Sequence, residues 1–105
     1  MFRRGRFHDL VERQLDLFEA DAAPLLEEAR EADAAWASAG ADESEELYGD
    51  YQLVVDAIGE RLYDLRETYV SSLDERAAED YRAAFNRAAT RRFRRFAAVL
   101  DEGDK

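Results

Sequence analysis

The sequence predicts an all-α protein, an up-down-up bundle of three long helices, and three observations predict it. Apolar residues recur at helical spacing along most of the chain. Gly (5) and Pro (1) are scarce among 105 residues, and apolar and charged residues are both plentiful, at 47% and 38%. The spacing gives each helix one buried stripe. The scarcity of chain breakers removes the turns that a β fold needs. The composition supplies both a core and a charged exterior. At this length a single domain over residues 1–105 is expected.

The first third carries Val11, Leu15, Phe18, Ala22, Leu25, Ala29, Ala32 and Trp36, which step by 4, 3, 4, 3, 4, 3 and 4. The phase passes straight through Pro24, although proline lacks an N–H and crowds the carbonyl four residues back. The segment is read as one helix from Arg4 to Ser38, kinked at Pro24, with Gly40 as its stop. Asp21 as an N-cap, with Pro24 in the following first turn, would instead break it and give a four-helix variant.

The middle segment is the most regular. Tyr48, Tyr51, Val55, Ile58, Leu62, Leu65 and Tyr69 step by 3, 4, 3, 4, 3 and 4, a seam of about three heptads. Asp42 and Glu45 have capping-box spacing at its start. The last helix is expected to begin near Ser72–Asp74, where Ser72 and Glu75 repeat that spacing. It carries Tyr81, Ala84, Phe85, Ala88, Phe93, Phe96, Ala97 and Leu100 on one face, with Gly103 as a stop. Short connections make these helices antiparallel neighbours.

Charge placement favours the same topology. The net charge is −10, and the last third carries the arginine run Arg91, Arg92, Arg94 and Arg95. An up-down-up path sets that run beside Glu27, Glu28, Glu31, Asp33, Glu43, Glu45, Glu46 and Asp50. It also sets Arg3, Arg4 and Arg6 near Glu67, Asp74, Glu75 and Glu79. Opposite charges at both ends disfavour other orientations, though each exposed pair contributes only about 0–1 kcal/mol.

Few residues point to chemistry. The absence of cysteine excludes disulfides, thiolate metal sites and cysteine nucleophiles. The one histidine, His8, stands one turn before Glu12, and a metal needs more ligands than that pair provides. Nor does any Glu-x-x-His pattern supply a di-iron site. The glycines are too scattered for a phosphate loop, and one histidine near the start supports no Ser/His/Asp arrangement. No enzyme activity, cofactor or metal is therefore expected. Met1–Arg6 is not followed by an apolar run, so a secretory leader is not expected. No stretch reaches the roughly 18 apolar residues of a membrane span, and the expected address is the cytoplasm. An acidic chain of this kind is not expected to meet nucleic acid or a membrane surface.

The expected function is a non-enzymatic protein–protein interaction or self-assembling module, with a homo-oligomer as one form. A bundle of this size cannot readily bury Phe7, Leu10, Leu17, Leu26, Leu47, Val54, Tyr63 and Val70 beyond its seams, and surplus apolar surface marks an interface. Leu17, Val54, Tyr63 and Val70 are its candidate residues. The alternative is a metal- or small-ligand-binding bundle using acids near His8 or around Tyr48–Tyr51. A weaker alternative is anion contact through Arg91, Arg92, Arg94 and Arg95. Phe93 and Phe96, three residues apart and in phase with Phe85, read more simply as core.

Overall fold

The computed structural model describes residues 5–98 and 100. Among them the chain is all-helical and has four helices: α1 (His8–Asp21), α2 (Ala23–Ala37), α3 (Ala41–Val70) and α4 (Glu75–Arg92). At 1.5 Å per residue, the 30 residues of α3 span about 45 Å, most of the 52 Å long axis of the molecule. α2 packs along α3, while α1 and α3 both pack on α4.

The first segment is broken rather than continuous, which corrects the single helix expected from Arg4 to Ser38. The break is one residue wide. Ala22 leaves the helical conformation at φ −96° and ψ 12°, and Pro24 occupies the first turn of α2, where its missing N–H costs nothing. Ala22 N–H still donates to Phe18 O at 2.8 Å, and Leu26 N–H donates to Ala22 O at 2.9 Å. Because so little backbone is lost, Ala22 stays buried and the apolar stripe keeps its phase.

Both expected capping boxes are replaced. Gly40 in extended conformation caps α3 with no side-chain bond, so Asp42 and Glu45 do not act as a pair there. At α4 the cap is Asp74, whose carboxylate accepts from the Ala77 N–H at 2.8 Å. Ser72 Oγ instead donates to Tyr69 O at 2.8 Å, at the end of the preceding helix. The start at Arg4, the residues Arg3 and Arg4, and the stop at Gly103 lie outside the described residues.

The last helix also ends early. It stops at Arg92 rather than near Leu100, and the chain turns over residues 93–97. There Phe96 N–H donates to Phe93 O at 2.9 Å, and Leu100 N–H donates to Ala97 O at 3.0 Å. The turn keeps Phe93, Ala97 and Leu100 buried, so the apolar residues are core as expected but reach it from a folded-back segment.

The core runs through Val11, Leu15 and Phe18 of α1, Ile58 and Leu62 of α3, and Tyr81, Phe85 and Ala89 of α4. Phe7 meets Tyr81 edge-on at 5.5 Å between ring centroids, and Phe18 meets Phe93 at 5.4 Å. Tyr81 is fully buried, and its hydroxyl donates to Gln14 Oε1 at 2.7 Å. Burial is the largest influence on this phenol and pushes its pKa up to about 12.

Candidate functional site

The expected surplus of apolar surface is largely absorbed. Phe7 is buried, and Leu10, Leu26, Val54, Tyr63 and Val70 pack half-buried against the core. Val54, Tyr63 and Val70 therefore do not form one exposed patch with Leu17. The helical repeat explains their separation: nine positions at 100° each place Val54 and Tyr63 on opposite flanks of the α3 seam. The ring of Tyr63 lies under the Arg66 guanidinium, 5.1 Å from its centroid. The breaks at Ala22 and after Arg92 let more faces turn inward than three straight helices would.

Leu17 is different, with 60% of its surface exposed. It stands beside a groove of about 290 Å³ between α1 and α3, lined also by Phe18, Ala22 and Leu65, with Asp21 and Arg61 contributing charge. The groove exists because α1 packs on α4 while α2 packs on α3, so the chain bends away from α3 near Ala22. Leu53, 69% exposed, and Tyr48, 45% exposed, are the other outward large apolar residues among those described. Tyr48 belonged to the expected seam, yet its ring is tilted against Trp36, 58° from parallel with centroids 4.9 Å apart, near the connection between α2 and α3. Leu53 stands on the outer face of α3, two positions from the buried Tyr51.

The arginine run is occupied within the molecule. Arg91 Nη2 donates to Glu12 Oε2 at 2.8 Å. Arg92 donates to Glu12 Oε1 at 3.3 Å, Asp16 Oδ1 at 2.8 Å and Glu19 Oε1 at 3.0 Å. Burial acts to lower the Arg92 pKa, but the bonds to Asp16 and Glu19 outweigh it and raise the value. Arg95 Nη1 donates to Asp33 Oδ2 at 2.7 Å and lies 3.4 Å from the Tyr51 hydroxyl. Those two partners, Asp33 first, raise its pKa. Arg94 is exposed, with no ion pair among the described residues.

Of the acids expected opposite this run, Asp33 is in place. Glu12, Asp16 and Glu19 replace the others, because an α4 that ends at Arg92 lies level with α1 rather than with the start of α3. Asp50 has no arginine partner among the described residues, and Arg6 lies over the Phe7 ring at 5.1 Å. Glu12 is engaged by Arg91 and Arg92, and His8 Nε2 lies 4.0 Å from Asp9 Oδ1. Among the described residues no three His, Asp or Glu side chains converge to hold a metal ion. No helix there is long and apolar enough to cross a membrane.

Periodicity gave no sign of Arg66. It is 1% exposed, the one buried charged side chain among the described residues. Its Nε donates to Glu67 Oε2 at 2.8 Å, and its Nη1 donates to Asn86 Oδ1 at 2.7 Å and reaches Leu100 O at 3.4 Å. Arg82 completes the network with bonds of 3.1 and 2.8 Å to the two Glu67 oxygens. The Arg82 bonds, helped by Arg66 and opposed by burial, hold the Glu67 carboxyl below the usual carboxylate range. The cluster joins α3, α4 and the folded-back segment, which is a structural task. The chain gives no significant match to any family model, any curated protein or any solved structure.

Proposed function

We propose that this protein is a non-enzymatic helical module that pairs with a second copy of itself through the groove between α1 and α3. The observation that carries the proposal is Leu17, 60% exposed beside an apolar groove on its own face of the molecule. A patch holding both a projecting leucine and a hollow is self-complementary. A two-fold axis through it sets each Leu17 in the opposite groove and each Arg61 near the opposite Asp21. The net charge of −10 opposes close approach, so salt should tighten the pairing.

The topology belongs to the same proposal. α1 and α2 act as one bent rod in an up-down-up bundle. In support, Phe7–Tyr81 and Phe18–Phe93 follow the same order along both segments.

Light scattering behind size exclusion, across a wide concentration range, tests the pairing. A concentration-dependent dimer is expected, stronger at high salt and lost in Leu17→Asp. A strict monomer at every concentration and salt overturns it.

A further inference from the structure

A second hollow, of about 530 Å³, lies away from the Leu17 groove, between α2, α3 and the turn that follows α4. Its volume falls in the range of small-molecule sites, roughly 300–1,000 Å³. One wall is aromatic. Trp36 and Tyr51 stack with centroids 5.9 Å apart and planes 16° from parallel, and Phe96 of the turn faces the same space. Tyr51 is buried and its hydroxyl is within 3.4 Å of Arg95 Nη1, so that wall is held in place before anything binds.

The polar lining is unequal in sign. Asp33 and Arg95 satisfy one another at 2.7 Å. Asp56 and Glu60, one turn apart on α3, also line the hollow, and neither carries an ion pair among the described residues. Asp56 Oδ1 accepts a bond from Gln52 Nε2 at 2.9 Å, a neutral donor that leaves its charge uncompensated. Gly59 lies between them and adds no side chain to the lining. Aromatic faces favour flat or apolar bodies and attract cations, while two uncompensated carboxylates repel anions and attract an ammonium group.

We propose that this hollow binds a small organic amine, with its apolar or aromatic body against Tyr51 and Phe96 and its ammonium group between Asp56 and Glu60. The juxtaposition that carries the proposal is an aromatic wall held by Arg95 in the same hollow as two carboxylates with no cationic partner among the described residues. It is independent of self-pairing, because it uses another face of the molecule.

The single tryptophan, Trp36, is a built-in reporter. Titration of the full chain with 2-phenylethylamine should change its fluorescence saturably in the millimolar range. The neutral isostere 2-phenylethanol should bind at least about tenfold more weakly, the worth of one charge contact of some 1.4 kcal/mol. The double variant Asp56→Asn, Glu60→Gln changes two exposed side chains and should keep the helical circular dichroism while losing the amine response. The proposal is overturned by a response that does not saturate, by equal binding of amine and alcohol, or by unchanged binding in the folded double variant.

Discussion

Arg66 donates a 2.7 Å hydrogen bond to Asn86 across the contact between α3 and α4, from a side chain that is 1% exposed. A buried guanidinium persists when its donors find acceptors, and Glu67 takes the Nε–H while Asn86 and Leu100 lie at Nη1. Among the described residues no buried side-chain nitrogen or oxygen lacks a partner.

Arg66→Ala should therefore cost about 3 kcal/mol of stability, from the cavity and from the buried bonds lost at Glu67, Asn86 and Leu100. Arg66→Met fills much of the volume but removes the 2.7 Å bond to Asn86 Oδ1, and should cost about 1–2 kcal/mol. Chemical denaturation measures both. An Arg66→Ala protein as stable as the parent would show that the network contributes nothing.

The lowered pKa of Glu67 sets an acid limb. A carboxyl whose folded value lies below its unfolded value adds stability above the unfolded value near 4.5, and that stability is lost as pH falls through the folded value. Glu67→Gln should flatten this part of the stability–pH curve, read from thermal midpoints between pH 7 and acid.

Tyr81 sets an alkaline limb of opposite sense. Its pKa is raised from 10.0 to about 12 by burial. The stability linked to its neutral form is thus complete below pH 10 and falls away as pH rises from there towards 12. Tyr81→Phe should remove this dependence while costing about 1 kcal/mol at neutral pH through the lost bond to Gln14. An unchanged alkaline limb in Tyr81→Phe would assign it to other groups.

Arg92 gathers three carboxylates of α1, and its own side chain is 22% exposed. Asp16 and Glu19 are largely in water, at 70% and 58% exposure, so screening limits the gain. Arg92→Ala should cost about 1 kcal/mol at low ionic strength and less at molar salt, where the Debye length is about 3 Å. A salt-independent loss would mean that the stem's packing matters more than its charge.

Helix capping separates two acids with similar sequence credentials. Asp74→Ala removes the bond to the Ala77 N–H and should lower stability by about 1 kcal/mol. Asp42→Ala, inside the first turn of α3 and making no cap bond, should change it by a few tenths. Thermal melts of the two variants side by side decide this, and equal losses would remove the special role of Asp74.

The sequence by itself determined the helical class, the connections near residues 38–40 and 71–74, and the stripe Val11, Leu15, Phe18, Ile58, Leu62, Tyr81 and Phe85 that became the core. These follow from a period of 3.6 residues, which records which face of each helix is apolar. Periodicity does not record where a helix stops when the phase continues. It passed through the single non-helical residue Ala22, and it carried the last helix past Arg92 because Phe93 and Leu100 are buried from either path. Tertiary structure alone decided that α4 ends beside α1, and hence that Arg92 meets Glu12, Asp16 and Glu19 rather than the start of α3. It also decided that Arg66, one turn beyond Leu62 and near the seam, lies inside. Its acceptors lie one, 20 and 34 residues away along the chain, and a buried charge becomes tolerable only when the fold has brought them together.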